Sequence, residues 1–83
     1  MVYDAAMADT RSRRRYVVVT RRALRGTART ARDAMSGEPD VTIVGASDPH
    51  MVTIETTPDR AEELRRKLDA THFVEPEVRH RLL

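Results

Sequence analysis

The feature that most constrains the fold is the alternation along the chain between two spacings of apolar residues. Four short runs are rich in β-branched residues, which is typical of strands. Two other segments place apolar residues three or four positions apart, which is typical of one face of a helix. The predicted strands are Tyr16–Thr20, Val41–Val44, His50–Thr56 and Thr71–Glu75.

The first helical segment lies between the first two strands. From Ala23 onward, an apolar stripe recurs at helical spacing, formed by Leu24, Ala28, Ala31 and Met35. We expect one helix over this stretch, and we expect Ser36 and Gly37 to end it in a left-handed conformation.

The second helical segment carries clearer end signals. Thr57 is a suitable N-cap, and Pro58 suits the first turn. Ala61, Leu64 and Leu68 form the predicted buried stripe. Two favourable ion pairs at i,i+4 spacing are expected on the exposed side, namely Glu62 with Arg66 and Glu63 with Lys67.

The order strand, helix, strand, strand, helix, strand predicts an α+β domain. We expect a ferredoxin-like βαββαβ fold, with a four-stranded antiparallel sheet and both helices on one face. The other face is then open, and its candidate residues are Met51, Thr53 and either Phe73 or Val74, of which we take Phe73 as the contact residue. A partly apolar open face is often a contact surface.

Length and composition restrict what else the chain can contain. Its 83 residues allow one small domain, and it has no cysteine that could form a disulfide or a thiolate metal site. We predict a flexible basic N-terminal tail over residues 1–15, a folded domain over 16–76 and an extended C-terminal tail over 77–83. The apolar runs are too short for a membrane helix.

The charge is unevenly distributed, although the net charge is only +2. Residues 11–32 contain nine arginines and no acidic residue. This stretch, Arg11 to Arg32, favours a nucleic-acid-binding module as the alternative hypothesis, because arginines contact phosphates. The aromatic residues on which RNA-binding sheets of this topology stack bases are missing, which weighs against it.

Signals for catalysis and for a bound cofactor are weak. The histidines, His50, His72 and His80, lack metal-ligand spacing, and neither a phosphate-binding loop nor a nucleophile elbow is present. A triad around Ser47 would have no cleft to exclude water. We therefore expect a protein that is not an enzyme and has no cofactor or metal. A dimeric ligand-sensing domain is a further class that no particular residue favours.

The last third of the chain resembles a known family. Pro58–Leu68, followed by Thr71–Glu77 with the run Phe73-Val74-Glu75-Pro76-Glu77, is similar to the subtilisin propeptide and proteinase-inhibitor family. Tyr16–Val19 resembles the first strand of that family, so the resemblance covers about residues 16–83. The fold that it implies is the same βαββαβ arrangement.

The resemblance implies a subtilisin-like serine protease as the partner. The open sheet face, with Met51, Thr53 and Phe73, would pack on two surface helices of the protease. Glu75 and Glu77 would cap the N-termini of those helices, where a carboxylate is favourable.

The resemblance also implies a role for the C-terminal tail. The tail would lie in the substrate cleft as an added strand. Leu83 would occupy the specificity pocket, preceded by His80, Arg81 and Leu82, in the manner of a bound product. A second role as folding chaperone follows from the same resemblance.

These expectations lead to one functional hypothesis. The chain is predicted to be an inhibitor of a subtilisin-like protease and a monomer when free. Because the sequence starts with Met1 and has no apolar signal-peptide segment, we expect a stand-alone cytoplasmic inhibitor. An excised prodomain would instead be extracellular.

Overall fold

The structure, a computed structural model, describes residues 12–77 as one four-stranded antiparallel sheet and two α-helices. The predicted number and order of strands and helices are confirmed. In chain order, the elements are β1 (Arg14–Thr20), a 3₁₀ turn (Arg22–Leu24), α1 (Ala31–Ser36), β2 (Thr42–Asp48), β3 (Met51–Thr56), α2 (Pro58–Lys67) and β4 (His72–Pro76).

The sheet has the spatial order β2-β3-β1-β4, and each neighbouring pair is antiparallel. In the centre, Val18 lies opposite Val52 on β3 and Val74 on β4. Beyond β4, the backbone N–H of Glu77 donates to the carbonyl of Arg15 at 3.0 Å. The two ends of the described chain therefore meet at the same end of the sheet.

The core lies on one side of this sheet. Strand residues with little or no exposure pack in a single cluster with the buried residues of both helices. Burying a side chain such as Leu64 or Ile54 contributes about 1.5–3 kcal/mol relative to leaving it exposed. The cluster consists of Tyr16, Val18, Ala31, Ala34, Met35, Val52, Ile54, Ala61, Leu64 and Val74.

The first helix is much shorter than predicted. α1 begins at Ala31, with the side chain of Thr30 as its N-cap, and the predicted start at Ala23 is wrong. Thr20 Oγ1 accepts a hydrogen bond from Ala31 N at 3.0 Å. His72 Nε2 lies 2.9 Å from the carbonyl oxygen of Arg29, to which it donates. These two buried side chains, opposite each other on β1 and β4, bind backbone groups on either side of Thr30.

Several predicted boundaries also differ from the structure. Gly37 follows α1 with φ −104°, so the predicted left-handed stop is wrong. Within residues 12–77, the left-handed conformation is found instead at Asp40, with φ 63°. β2 extends to Asp48, through the stretch predicted as a turn, with two register shifts against β3. β1 starts at Arg14 rather than at Tyr16.

The second helix confirms the end signals in its sequence. Thr57 Oγ1 accepts from Arg60 N at 3.2 Å, and Pro58 is the first helical residue. The predicted pair of Glu62 with Arg66 is present, whereas the predicted pair of Glu63 with Lys67 is wrong. Lys67 instead binds Glu38, and Glu63 binds Arg60.

Candidate functional site

The candidate site is the face of the sheet opposite the core, which neither helix covers. Alternation along the strands brings Phe73, Val19 and Met51 together, because Val19 lies opposite both of the others. The exposed fractions of Phe73 and Met51 are 42% and 49%. We call these three residues the apolar strip. The predicted face residue Thr53 lies one row below, opposite Val17.

The structure settles which residue of β4 faces this surface. Val74 is buried in the core, so Phe73 projects from the open side. Arg21 lies over the ring of Phe73, with the guanidinium carbon 4.1 Å from the ring centroid. Its Nε also donates to the carbonyl of Asp69 at 2.8 Å. Arg21 therefore holds one edge of the apolar strip in place.

The two predicted acids follow the apolar strip along β4. Glu75 lies opposite Val17 and shares the side of Phe73, because side chains alternate along a strand. Glu77 comes directly after the strand, next to Arg15. Within residues 12–77, neither carboxylate forms an ion pair with a basic side chain. Both remain available for a partner.

The end of the face away from the apolar strip, beside Glu77, is a charged band in which Arg13, Arg15, Asp40 and Glu55 are paired. Arg13 donates to Asp40 Oδ1 and to Thr42 Oγ1, each at 3.0 Å, and to the carbonyl of Glu55 at 2.7 Å. Arg15 pairs with the carboxylate of Glu55 at 3.2 Å. This band lies two rows from the apolar strip, at the end of the sheet where β1 begins and β3 ends.

Two acidic residues on the helix side, Glu38 and Glu62, are also paired, and the pairing shifts their pKa values. The hydrogen bond from Lys67, together with the charges of Lys67 and Arg60, lowers the pKa of Glu38, although burial opposes the shift. Hydrogen bonds from Arg65 and Arg66 lower the pKa of Glu62 to about 2. The hydrogen bonds that Arg65 donates to Glu62 raise the pKa of Arg65 in return.

Sequence reasoning found part of this surface. Met51, Thr53 and Phe73 share one face, as predicted, with Glu75 beside them. Sequence reasoning missed Val19, Arg21 and the charged band. Because side chains alternate along a strand, Val17 and Val19 must face the side opposite Val18. This alternation would have indicated two apolar residues of β1 on the open face. No sequence signal indicated the contact of Arg21 with Phe73, because they are 52 positions apart in the chain.

The predicted tail residues His80, Arg81, Leu82 and Leu83 lie outside the described residues, so their role stays a prediction. Within residues 12–77, no group of three or more histidine or acidic side chains is arranged to hold a metal ion. The same part of the chain contains no helix with the length and apolar character needed to cross a membrane.

The chain was compared with models of protein families, with curated proteins and with solved structures, and none of the three comparisons found a match.

Proposed function

We propose that this chain inhibits a subtilisin-like serine protease and docks on it through the open face of a ferredoxin-like domain. The strand order β2-β3-β1-β4 supports the fold assignment. Read from β4, it places β1 and β3 in the centre and β4 beside β1, which is the order of a split βαβ unit. The resemblance to protease propeptides in the last third of the sequence requires this arrangement.

The observation that carries the proposal is the combination of an exposed apolar strip with adjacent unpaired carboxylates. Phe73, Val19 and Met51 offer apolar area, and Glu75 lies one row away on the same face. Another acid of that face, Glu55, is already bound by Arg15. Such a surface fits a partner that presents both apolar side chains and positive partial charge.

Two surface helices of a protease meet this description. The N-terminus of a helix carries unsatisfied N–H groups and a positive partial charge. A carboxylate placed there gains about 0.3–1 kcal/mol when exposed and more when partly buried. Glu75 and Glu77 are two positions apart, and each would cap one helix. The apolar strip would pack between the two helices.

The C-terminal tail completes the inhibitor. The last described residue, Glu77, lies beside Arg15 at the end of the sheet where β4 ends. Residues 78–83 would then enter the substrate cleft as an added strand, in which backbone hydrogen bonds give affinity and side chains give specificity. Leu83 would fill the specificity pocket, and its terminal carboxylate would lie near the catalytic serine.

The decisive experiment is an inhibition assay against a panel of subtilisin-like and trypsin-like serine proteases. We expect inhibition of a subtilisin-like member, and deletion of Leu82 and Leu83 should weaken it at least tenfold. No inhibition of any subtilisin-like protease at micromolar concentration would refute the proposal.

The role of the carboxylates can be tested separately. Glu75→Gln should weaken inhibition by about two- to fivefold, because a neutral amide loses most of the attraction to a helix N-terminus. Asp59→Asn is the matched control, since Asp59 is an exposed acid in the first turn of α2 on the helix side. Equal weakening by both changes would refute the capping role.

A further inference from the structure

Eleven of the twelve arginine and lysine side chains within residues 12–77 fall into two groups. Most basic side chains within residues 12–77 are bound to a carboxylate: Arg13, Arg15, Arg21, Arg60, Arg65, Arg66 and Lys67. Four others, which we call the arginine loop, are Arg22, Arg25, Arg29 and Arg32. In this part of the chain, none of the four forms an ion pair with an acid. Arg29 donates only to the backbone carbonyl of Asp33, at 2.7 Å.

The backbone of the arginine loop is held in one shape. The 3₁₀ turn closes with a hydrogen bond from Leu24 N to the Arg21 carbonyl at 2.8 Å, and Ala28 N donates to the Leu24 carbonyl at 2.8 Å. Leu24 and Ala28 are half-buried, whereas all four arginines are exposed. At the far end, Thr20 and His72 fix the backbone on either side of Thr30. The positive charges are therefore presented outward on an ordered segment.

A contact between an arginine and an aromatic ring lies next to the arginine loop. Arg21, directly before Arg22, lies over Phe73, and the Asp69 carbonyl fixes its guanidinium. The side chain of Arg21 is still 33% exposed. A guanidinium held in this way offers its outer surface to a nucleobase, which stacks on arginine as well as on aromatic rings.

We propose that the arginine loop binds the phosphates of single-stranded nucleic acid, with one unpaired base stacked on Arg21. Arginine suits phosphate, because its planar guanidinium makes two parallel hydrogen bonds. An anionic membrane is disfavoured, because the exposed large apolar side chains of the described residues are Val44, Met51 and Phe73, all outside the loop. The stack on Phe73 favours a nucleic acid over an acidic peptide. This activity does not require the protease, although Arg21 borders the apolar strip that docks it in the first proposal.

The test uses the full chain and fluorescently labelled 12-nucleotide oligo-U RNA and oligo-dT DNA, measured by fluorescence anisotropy. Four phosphate contacts predict a slope of log affinity against log salt of about −3. Affinity should therefore fall about fiftyfold between 50 and 200 mM salt. Binding of either oligonucleotide supports the proposal. Binding of only one of the two shows which nucleic acid the loop recognises. Absence of binding to either at 50 mM salt overturns it.

Matched variants distinguish binding by the arginine loop from nonspecific attraction to the positive charge of the domain. Arg22→Gln with Arg25→Gln should make the salt slope shallower by about 1.4. Arg65→Gln with Arg66→Gln removes the same charge from residues already paired with Glu62 and should leave the slope unchanged. Equal effects of the two double variants overturn the proposal. Protease inhibition by both should match that of the unchanged chain, so the two proposals can fail separately.

The stacked base is tested by Arg21→Lys, which keeps the charge and loses the planar group. We expect at least fivefold weaker binding of single strands. Unchanged affinity, or equally tight binding of a duplex of the same length, overturns the stacking role. A poly-glutamate peptide that competes as well as the oligonucleotide at equal charge overturns the assignment to nucleic acid.

Discussion

At the residue scale, two buried polar side chains decide the course of the chain after β1. Thr20 and His72 lie opposite each other on neighbouring strands and are almost completely buried. His72 Nδ1 is also 2.7 Å from Thr71 Oγ1, so both ring nitrogens have partners. Buried polar groups remain favourable only when they are hydrogen-bonded. These contacts therefore fix the start of α1 more firmly than its apolar spacing does.

Thr20→Val is expected to destabilise the domain by about 1–3 kcal/mol. The substitution keeps the shape of the side chain but leaves the buried N–H of Ala31 without its acceptor. Thr53→Val is the matched control on the open face and should change the free energy of unfolding by less than about 0.5 kcal/mol. Urea denaturation measures both variants. A loss of equal size in both would contradict the role assigned to Thr20.

The pairing of Glu38 predicts a dependence of stability on pH. Its side chain is 11% exposed and binds both Lys67 and Arg60. Because its pKa is lowered in the folded state, the pairing stabilises the fold above the unfolded pKa of about 4.3. That stabilisation is lost as the pH falls from there through the folded pKa. Thermal melts at pH 7, 4 and 3 should show a smaller acid-induced loss for Glu38→Gln than for the unchanged chain. Parallel losses would contradict this assignment.

At the scale of elements, the two helices differ in what stabilises them. α2 has ten residues, a capping threonine, a proline in the first turn and basic residues in the last turn. α1 has six residues, which is too short for independent stability. Ala31, Ala34 and Met35 hold it against the sheet by burial. Local signals thus define α2, whereas α1 depends on tertiary contacts in addition to its Thr30 cap.

Thr57→Ala should cost about 1 kcal/mol of stability, because Arg60 N loses its side-chain acceptor at the start of α2. Thr27→Ala is the control, since the Thr27 hydroxyl contacts only the Leu24 carbonyl, at 3.5 Å, in an exposed turn. Guanidinium denaturation should show a shift of the midpoint for the first variant alone. A midpoint for Thr57→Ala equal to that of the unchanged chain would mean that the cap contributes nothing.

At the scale of the whole molecule, the domain has one small core without a disulfide. Small domains of this kind have a small free energy of unfolding. A partner that binds only the folded state therefore adds a large fraction to that free energy. The open face leaves apolar side chains exposed in the free protein, and docking would remove them from water. Binding and folding are therefore expected to be thermodynamically coupled.

Hydrogen exchange measures this coupling. With a catalytically inactive subtilisin-like protease at about 100 times the dissociation constant, the slowest amides of β1 and β3 should exchange about 100-fold more slowly. The slowing follows because those amides exchange through global unfolding, which the bound protease opposes. An inactive trypsin-like protease is the control. Unchanged exchange with the subtilisin-like protease would contradict the docking proposal.

The sequence by itself determined the number of strands and helices, the start of α2 and the residues of β3 that face the core. These features depend on neighbours in the chain: Thr57 caps its own helix, and Val52 and Ile54 alternate with exposed residues. The tertiary structure decided which face Phe73 occupies and which carboxylates remain unpaired, and together with the Thr30 cap it decided where α1 begins. Those outcomes depend on contacts such as Thr20 with Ala31 and Arg15 with Glu55, which the fold creates between positions distant in sequence.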